Sequence, residues 1–129
     1  MRNVVYTEGP QAHYDAYGYS AAVRSGGFVF VSGQVGVDET GAAIKDVASQ
    51  FDAVFANLDE VLRAAGCGFD DVVDVTSFHV NMYEHFDAFA AAKWRAFPKA
   101  PFPSWTAIGV VNLAEPDLLL EIKAIARLG

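Results

Sequence analysis

Cysteine occurs once in this sequence, at Cys67. One thiol excludes an intrachain disulfide and fits a reducing compartment. Basic residues are scarce: nine Lys and Arg stand against sixteen Asp and Glu, a net charge of −7. They form no run, whereas a nucleic-acid partner held through counterion release needs basic clusters; none is expected. No apolar run reaches membrane-spanning length, and Met1–Tyr6 lacks the long apolar stretch of a signal peptide. A soluble, cytoplasmic protein with no membrane partner is expected. The histidines His13, His79 and His85 show no ligand spacing, and no His-Glu-x-x-His or paired-cysteine pattern occurs. No metal is expected. Gly33-Gln34-Val35-Gly36 follows a strand without opening into a helix, so it makes no phosphate loop. There is no Gly-x-Ser-x-Gly elbow, and Cys67 has no nearby basic residue in sequence to activate it. No cofactor is expected.

What is present is apolar surface. With 129 residues, the chain reads as one domain over 1–129. Hydrophobic residues make up 53% and charged residues 19%. A domain this small exposes much of itself, so the excess of apolar residues implies burial in an oligomer.

Val4–Thr7 is a short β-prone run closed by Glu8-Gly9-Pro10. Gln11–Gly18 is polar and aromatic without a period and reads as a loop, a common carrier of function. Tyr19–Arg24 and Phe28–Gly33 read as strands joined at Ser25-Gly26-Gly27, where glycine supplies φ > 0 for a hairpin. Phe28–Val31 is apolar without alternation, as in a strand buried on both faces. Glycine at Gly33 marks a bulge or a close backbone approach. Val37–Ile44 holds a turn at Asp38-Glu39-Thr40-Gly41.

From Val47 the apolar residues Phe51, Val54, Phe55, Leu58, Val61, Leu62 and Ala65 fall on one face of a five-turn helix. Asp46 suits its N-cap, and Gly66 supplies the left-handed residue that ends it. Val72–Val80 is a strand, Asn81–His85 a turn, and Phe86–Phe97 a shorter helix stopped by Pro98, Pro101 and Pro103. Two last strands follow, one starting at Trp105 and one over Leu118–Arg127, read as a pair across a turn at Ala114–Asp117. The order β-β-β-α-β-α-β-β is α+β: one sheet with both helices on a single face.

Glu121 is the one acidic residue in an apolar strand. Alternation sets it on the same side as Lys123, so it is either half of a solvent-facing charge pair or a carboxylate partly desolvated by Trp105 and Phe102. Desolvation raises a carboxyl pKa and suits it to passing protons near neutral pH. Trp105 is either core or a platform for a flat or cationic ligand. Tyr19 and Ser20 are structural or part of the same site. His79, at a strand end, is a satisfied histidine or a proton carrier.

Several segments together resemble the Rid (YjgF, reactive-intermediate deaminase) family: Tyr19–Gly27, Phe30–Gln34, Asn57-Leu58 with Val61–Gly66, Asp74–Phe78, and Glu121–Ala126. Val31–Gly36, Ala64–Cys67, Asp74–His79, Trp105–Ala107 and Gly109-Val110 resemble its YjgH-like branch. The resemblance implies a chorismate-mutase-like α+β fold, a homotrimer with a central barrel of sheets, and three small-molecule clefts between subunits. It implies a lining of Tyr19, Ser32, Gly33, Gln34, Trp105, Thr106, Ala107 and Glu121, with Glu121 positioning water for imine or enamine hydrolysis. The family's carboxylate-binding arginine falls at Trp105 and its frequent cysteine at Ala107. An asparagine usual on the second helix falls near Ala91, and the proline before Tyr19 is Gly18. An indole offers one N–H and a π face, so the charged grip is lost, on the order of a hundredfold in affinity. The chain is expected to deaminate or tautomerise a small enamine or imine without the usual anchored carboxylate. The alternative is a non-catalytic trimer that binds a small metabolite. Ribonuclease activity, reported for relatives, is disfavoured by the charge.

Overall fold

In the computed structural model, which describes residues 1–8 and 12–129, six strands form one sheet in the order β1-β2-β3-β6-β4-β5. They are β1 (Asn3–Val5), β2 (Ala22–Ser25), β3 (Phe28–Val35), β4 (Val72–His79), β5 (Ser104–Gly109) and β6 (Leu120–Arg127). Neighbours are antiparallel except β4 and β5, which run parallel. The helices are α1 (Ala12–Tyr17), α2 (Val47–Ala64) and α3 (Met82–Ala96). The α+β class, with α2 and α3 over one face of the sheet, is as expected.

The long helix follows its sequence pattern. Asp46 accepts the Ser49 N–H at 3.0 Å, and Gly66 takes φ +87° past the last turn. Phe51, Val54, Phe55, Leu58, Val61 and Leu62 are buried against Val29, Val31, Val75, Leu120, Ile122 and Ala124 of the sheet. Each such side chain contributes about 1.5–3 kcal/mol on leaving water. Gly26 and Gly27, at φ +59° and +83°, make the two-residue turn between β2 and β3.

Three expectations need correction. Gln11–Gly18 is no loop where it is described: Ala12–Tyr17 is helical, and Gln11 lies outside the described residues. Six residues are too few for a helical period to show. Asn81–His85 is not a turn either. Asn81 alone takes the left-handed conformation, at φ 54°, and α3 starts at Met82. The last two strands are not paired, because β4 lies between β5 and β6. The second face of the sheet, expected to be covered in an oligomer, leaves Phe28, Phe30 and Ile108 39%, 46% and 41% exposed in the single chain.

Candidate functional site

A bulge in β3 begins the site. Val31 pairs with Ala124 and Gln34 with Ile122, so three steps on β3 span two on β6. Ser32 and Gly33 fill the extra step. The Ser32 hydroxyl donates to the Ser20 carbonyl at 2.6 Å, and Gln34 Nε2 donates to the Ser32 carbonyl at 3.1 Å. The bulged backbone is thereby tied to the approach to β2 and to its own strand. At Gly33 a side chain is impossible without displacement, because an added Cβ would run into the Glu121 carboxylate, with Cδ at 2.7 Å. What comes close to the backbone there is the glutamate itself.

Leu120 and Ile122 are buried under the helices, so Glu121 points to the opposite face. It pairs across β6 with Phe78 of β4. It is half-buried and has no hydrogen bond or ion pair to a described residue. Burial pushes its carboxyl above the usual glutamate range. The charge pair with Lys123 does not form. Desolvation comes, however, from the bulge side: Phe102 lies against Trp94 at 5.6 Å, and Trp105 lies elsewhere.

Glu121 opens into a cavity of about 1410 Å³ that Tyr19, Ser32, Gly33 and Gln34 also line. The Tyr19 hydroxyl and His13 Nε2 share a hydrogen bond of 3.0 Å, and the Tyr14 and Tyr19 rings meet edge-on at 5.2 Å. Burial raises the Tyr19 phenol pKa, and Tyr14 and Glu121 add to the shift. Beyond the expected residues the wall includes His13, Tyr14, Tyr17, Asn57 and Glu60. The aromatic stretch before Tyr19 was a signal for the first three; nothing in the periodicity of α2 marked the other two. Among the described lining residues are five carboxylates, Asp38, Glu39, Glu60, Glu115 and Glu121, against one lysine, Lys123, and no arginine.

A buried amide holds the outer wall. Gln50, 1% exposed, donates from Nε2 to the Ile44 carbonyl at 2.8 Å and to the Asp117 carbonyl at 3.0 Å. Its Oε1 accepts the Leu119 N–H at 2.8 Å.

Trp105, Thr106 and Ala107 do not line this cavity in one chain. Trp105 pairs with Val75, which is buried under the helices, so its indole faces α3. Its Nε1–H donates to Ser77 Oγ at 3.0 Å, its ring meets Phe97 at 5.5 Å and Phe89 at 6.0 Å, and Lys93 Nζ stands 4.6 Å from the ring centroid. Thr106 pairs with Thr76. Ala107 lines a second pocket, of about 460 Å³, beside His79. Of the cations on α3, Lys93 sits on Trp105, and Arg95 pairs with Asp52 at 2.7 Å. His79 is a satisfied buried histidine, 2.7 Å from Ser77 Oγ.

Comparison with known proteins matches residues 10–128 to the family model described as endoribonuclease L-PSP, Ribonuc_L-PSP. The chain belongs to this family. The RutC family protein YjgH of Escherichia coli is 46% identical over 127 residues, covering 98% of this chain and 95% of the relative. The 2-iminobutanoate/2-iminopropanoate deaminase of Salmonella typhimurium is 34% identical over 112 residues, covering 84% and 85%. Among solved structures, protein YJGH superposes with a TM-score of 0.92 at 45% identity, covering 98% of this chain and 96% of that one. Rv2704 of Mycobacterium tuberculosis, of the YjgF/YER057c/UK114 family, gives 0.82 at 29%, covering 99% and 100%. The Ribonuc_L-PSP chain described here thus shares the YjgF-family fold and, within the family, resembles YjgH. Among its described residues no helix is long and apolar enough to cross a membrane.

Proposed function

We propose that this chain is a cytoplasmic homotrimer whose inter-subunit clefts hydrolyse, or tautomerise, a small enamine or imine. The observation that carries the reading is Glu121: a half-buried carboxylate with no partner, packed over a bulge glycine and open to a cavity. An unpaired, desolvated carboxylate is costly to keep and is the kind of group that accepts protons. Hydrolysis then runs as follows. Glu121 accepts a proton from water while the water oxygen bonds to the imine carbon, and the nitrogen takes up a proton. The C–N bond of that adduct breaks, leaving a carbonyl compound and ammonia. For an enamine, protonation at carbon first yields the imine. Backbone N–H groups at Gly33 or Thr106 hold a carbonyl or carboxylate oxygen.

What one chain leaves open supports the trimer. The cavity, about 1410 Å³, exceeds the roughly 300–1,000 Å³ of a closed small-molecule site, and the sheet face beside it leaves Phe28, Phe30 and Ile108 exposed. Trp105, Thr106 and Ala107 join Glu121, Tyr19, Ser32, Gly33 and Gln34 only if a neighbouring subunit supplies β5. The Salmonella relative is named for 2-iminobutanoate and 2-iminopropanoate. With no arginine on the wall and Trp105 in the family's arginine position, this chain takes a substrate that does not need that grip.

Ammonia release from imines and enamines generated in place, with and without a carboxylate, tests the reading. Glu121→Gln should cut the rate about a hundredfold or more. Equal rates in the two proteins on every substrate turned over would sink the mechanism. The absence of a wall arginine favours one alternative, a trimer that binds a metabolite without turnover. It would show metabolite-dependent melting shifts and no ammonia. RNA cleavage suits neither the chain's charge nor five carboxylates on the wall; degradation of RNA that is lost on mutating the cleft would reverse that judgement.

A further inference from the structure

The wall of the large cavity is rich in hydrogen-bond acceptors and poor in donors. Glu39, Glu60, Glu115 and Glu121 line it without a hydrogen bond or ion pair to any described residue. Asn57, three positions before Glu60 on the same face of α2, gives its Nδ2 to the Val35 carbonyl at 2.8 Å. Its Oδ1 keeps no donor among the described residues. Asp38 differs, being satisfied inside its own turn by the Thr40 and Ala42 N–H groups at 2.8 and 3.2 Å.

Carboxylates on a wall attract any cation and do not make a site by themselves. What gives this wall a shape is a corner of rings. His13 is its hub: His13 against Tyr14, His13 against Tyr19 and Tyr14 against Tyr19 meet at 78°, 82° and 78°, with centroids 5.6, 6.0 and 5.2 Å apart. Tyr17 tilts against His13 at 5.1 Å, and the His13–Tyr19 hydrogen bond ties two of the walls together. Packing of α1 accounts for Tyr14, which lies against the core. It does not account for Tyr17 and Tyr19, which line the cavity while 68% and 39% exposed.

Two of the carboxylates flank these rings. Burial raises the Tyr14 phenol pKa, a hydrogen bond to Gln34 opposes the rise, and the charge of Glu60 adds to it. Burial, then Tyr14, then Glu121 raise that of Tyr19. Both phenols thus stay neutral, with Glu60 in reach of one and Glu121 of the other. Neutral rings offer a cation their negative faces, and a cleft of one charge sign draws it in. The same wall repels a carboxylate.

We propose that this corner is an organic-ammonium site, in which a cationic head packs on Tyr14, Tyr17 and Tyr19 and Glu60 supplies the counter-charge. Resting on the hydrolase reading of the same cavity, the substrate class is then an imine or enamine that carries an ammonium group and no carboxylate. Glu121, at the other end of the corner, is left to the water.

Titrating the full chain with choline, against 3,3-dimethylbutan-1-ol, which has the same shape and no charge, tests the site without any turnover. Choline should saturate in the millimolar range, about tenfold tighter than the alcohol. Its methyl protons should move upfield in the NMR spectrum, as protons over ring faces do. Tyr17→Leu and Glu60→Gln, both at exposed positions, should each weaken choline by about threefold to tenfold while the melting temperature holds. In the ammonia assay, imines bearing an ammonium group should outpace those bearing a carboxylate by about tenfold, and choline should compete. Choline bound as described, with no ammonia from any imine, would uphold the site and remove the hydrolase reading alone. Choline and the alcohol binding equally, or choline binding unchanged in both variants, would overturn the site even where ammonia is released.

Discussion

Glu121 and Trp105 are both half-buried on the same sheet, and their surroundings are opposite. The indole has a partner for every part: Ser77 for its N–H, Phe89 and Phe97 for its edges, and Lys93 over its ring. The carboxylate has none among the described residues, and burial pushes its pKa up. Around the indole this chain has built packing. At the glutamate it has kept a group that folding alone would discard. Unpaired polarity, more than rarity or chemical strength of a side chain, is what marks a site here.

Three substitutions break or sharpen that contrast. The largest effect is expected from Trp105→Ala, which strips two ring contacts and leaves Ser77 without its donor. Chemical denaturation should show a loss of about 3 kcal/mol. A loss below about 1 kcal/mol, together with abolished ligand binding, would make Trp105 a ligand platform instead of a packing residue.

Gly33→Ala comes next, at about 1 kcal/mol destabilising, because the new methyl makes the mobile end of Glu121 swing away into the cavity. Combining it with Glu121→Ala should recover most of that cost in a double-mutant cycle. Strict additivity would mean that the two residues do not touch.

The smallest effect concerns Glu121→Gln and pH. The folded-state pKa is raised, so the folded protein holds this proton more tightly than the unfolded chain. The contribution of Glu121 is then fully present below the unfolded glutamate pKa and is lost as pH rises through the folded value. The variant should be the more stable at pH 7, by under about 1 kcal/mol for a group so open to solvent. The advantage should vanish as pH falls below the ordinary glutamate range. An advantage that grew on acidification would show Glu121 to be stabilised as a carboxylate, by a partner.

Where local chemistry decides, the sequence was legible. The periodicity of α2, the Asp46 cap, the Gly26-Gly27 turn and the lone acid of β6 each follow from residues adjacent along the chain. Two features escaped because they depend on strand order. Read in sequence, β5 and β6 look like neighbours, yet the parallel pairing of β5 with β4 separates them and turns Trp105 to the helix face. Ser77 drew no notice beside Thr76, since only burial of the Val75, Ser77 and His79 side of β4 tells the two hydroxyls apart. The helix α1 escaped for want of length, although its aromatic residues did flag the region that lines the cavity.

Gln50 separates what the cavity's outer loops contain from where they are placed. Its three hydrogen bonds all go to main-chain atoms, at Ile44, Asp117 and Leu119. Among the described residues, the only side-chain tie between the same loops is the exposed Lys45–Asp117 ion pair at 2.8 Å. Substitutions such as those at Glu39 or Glu115 can therefore change what the cavity prefers while the wall stays in position. One buried amide makes the specificity of this pocket free to drift on a fixed frame.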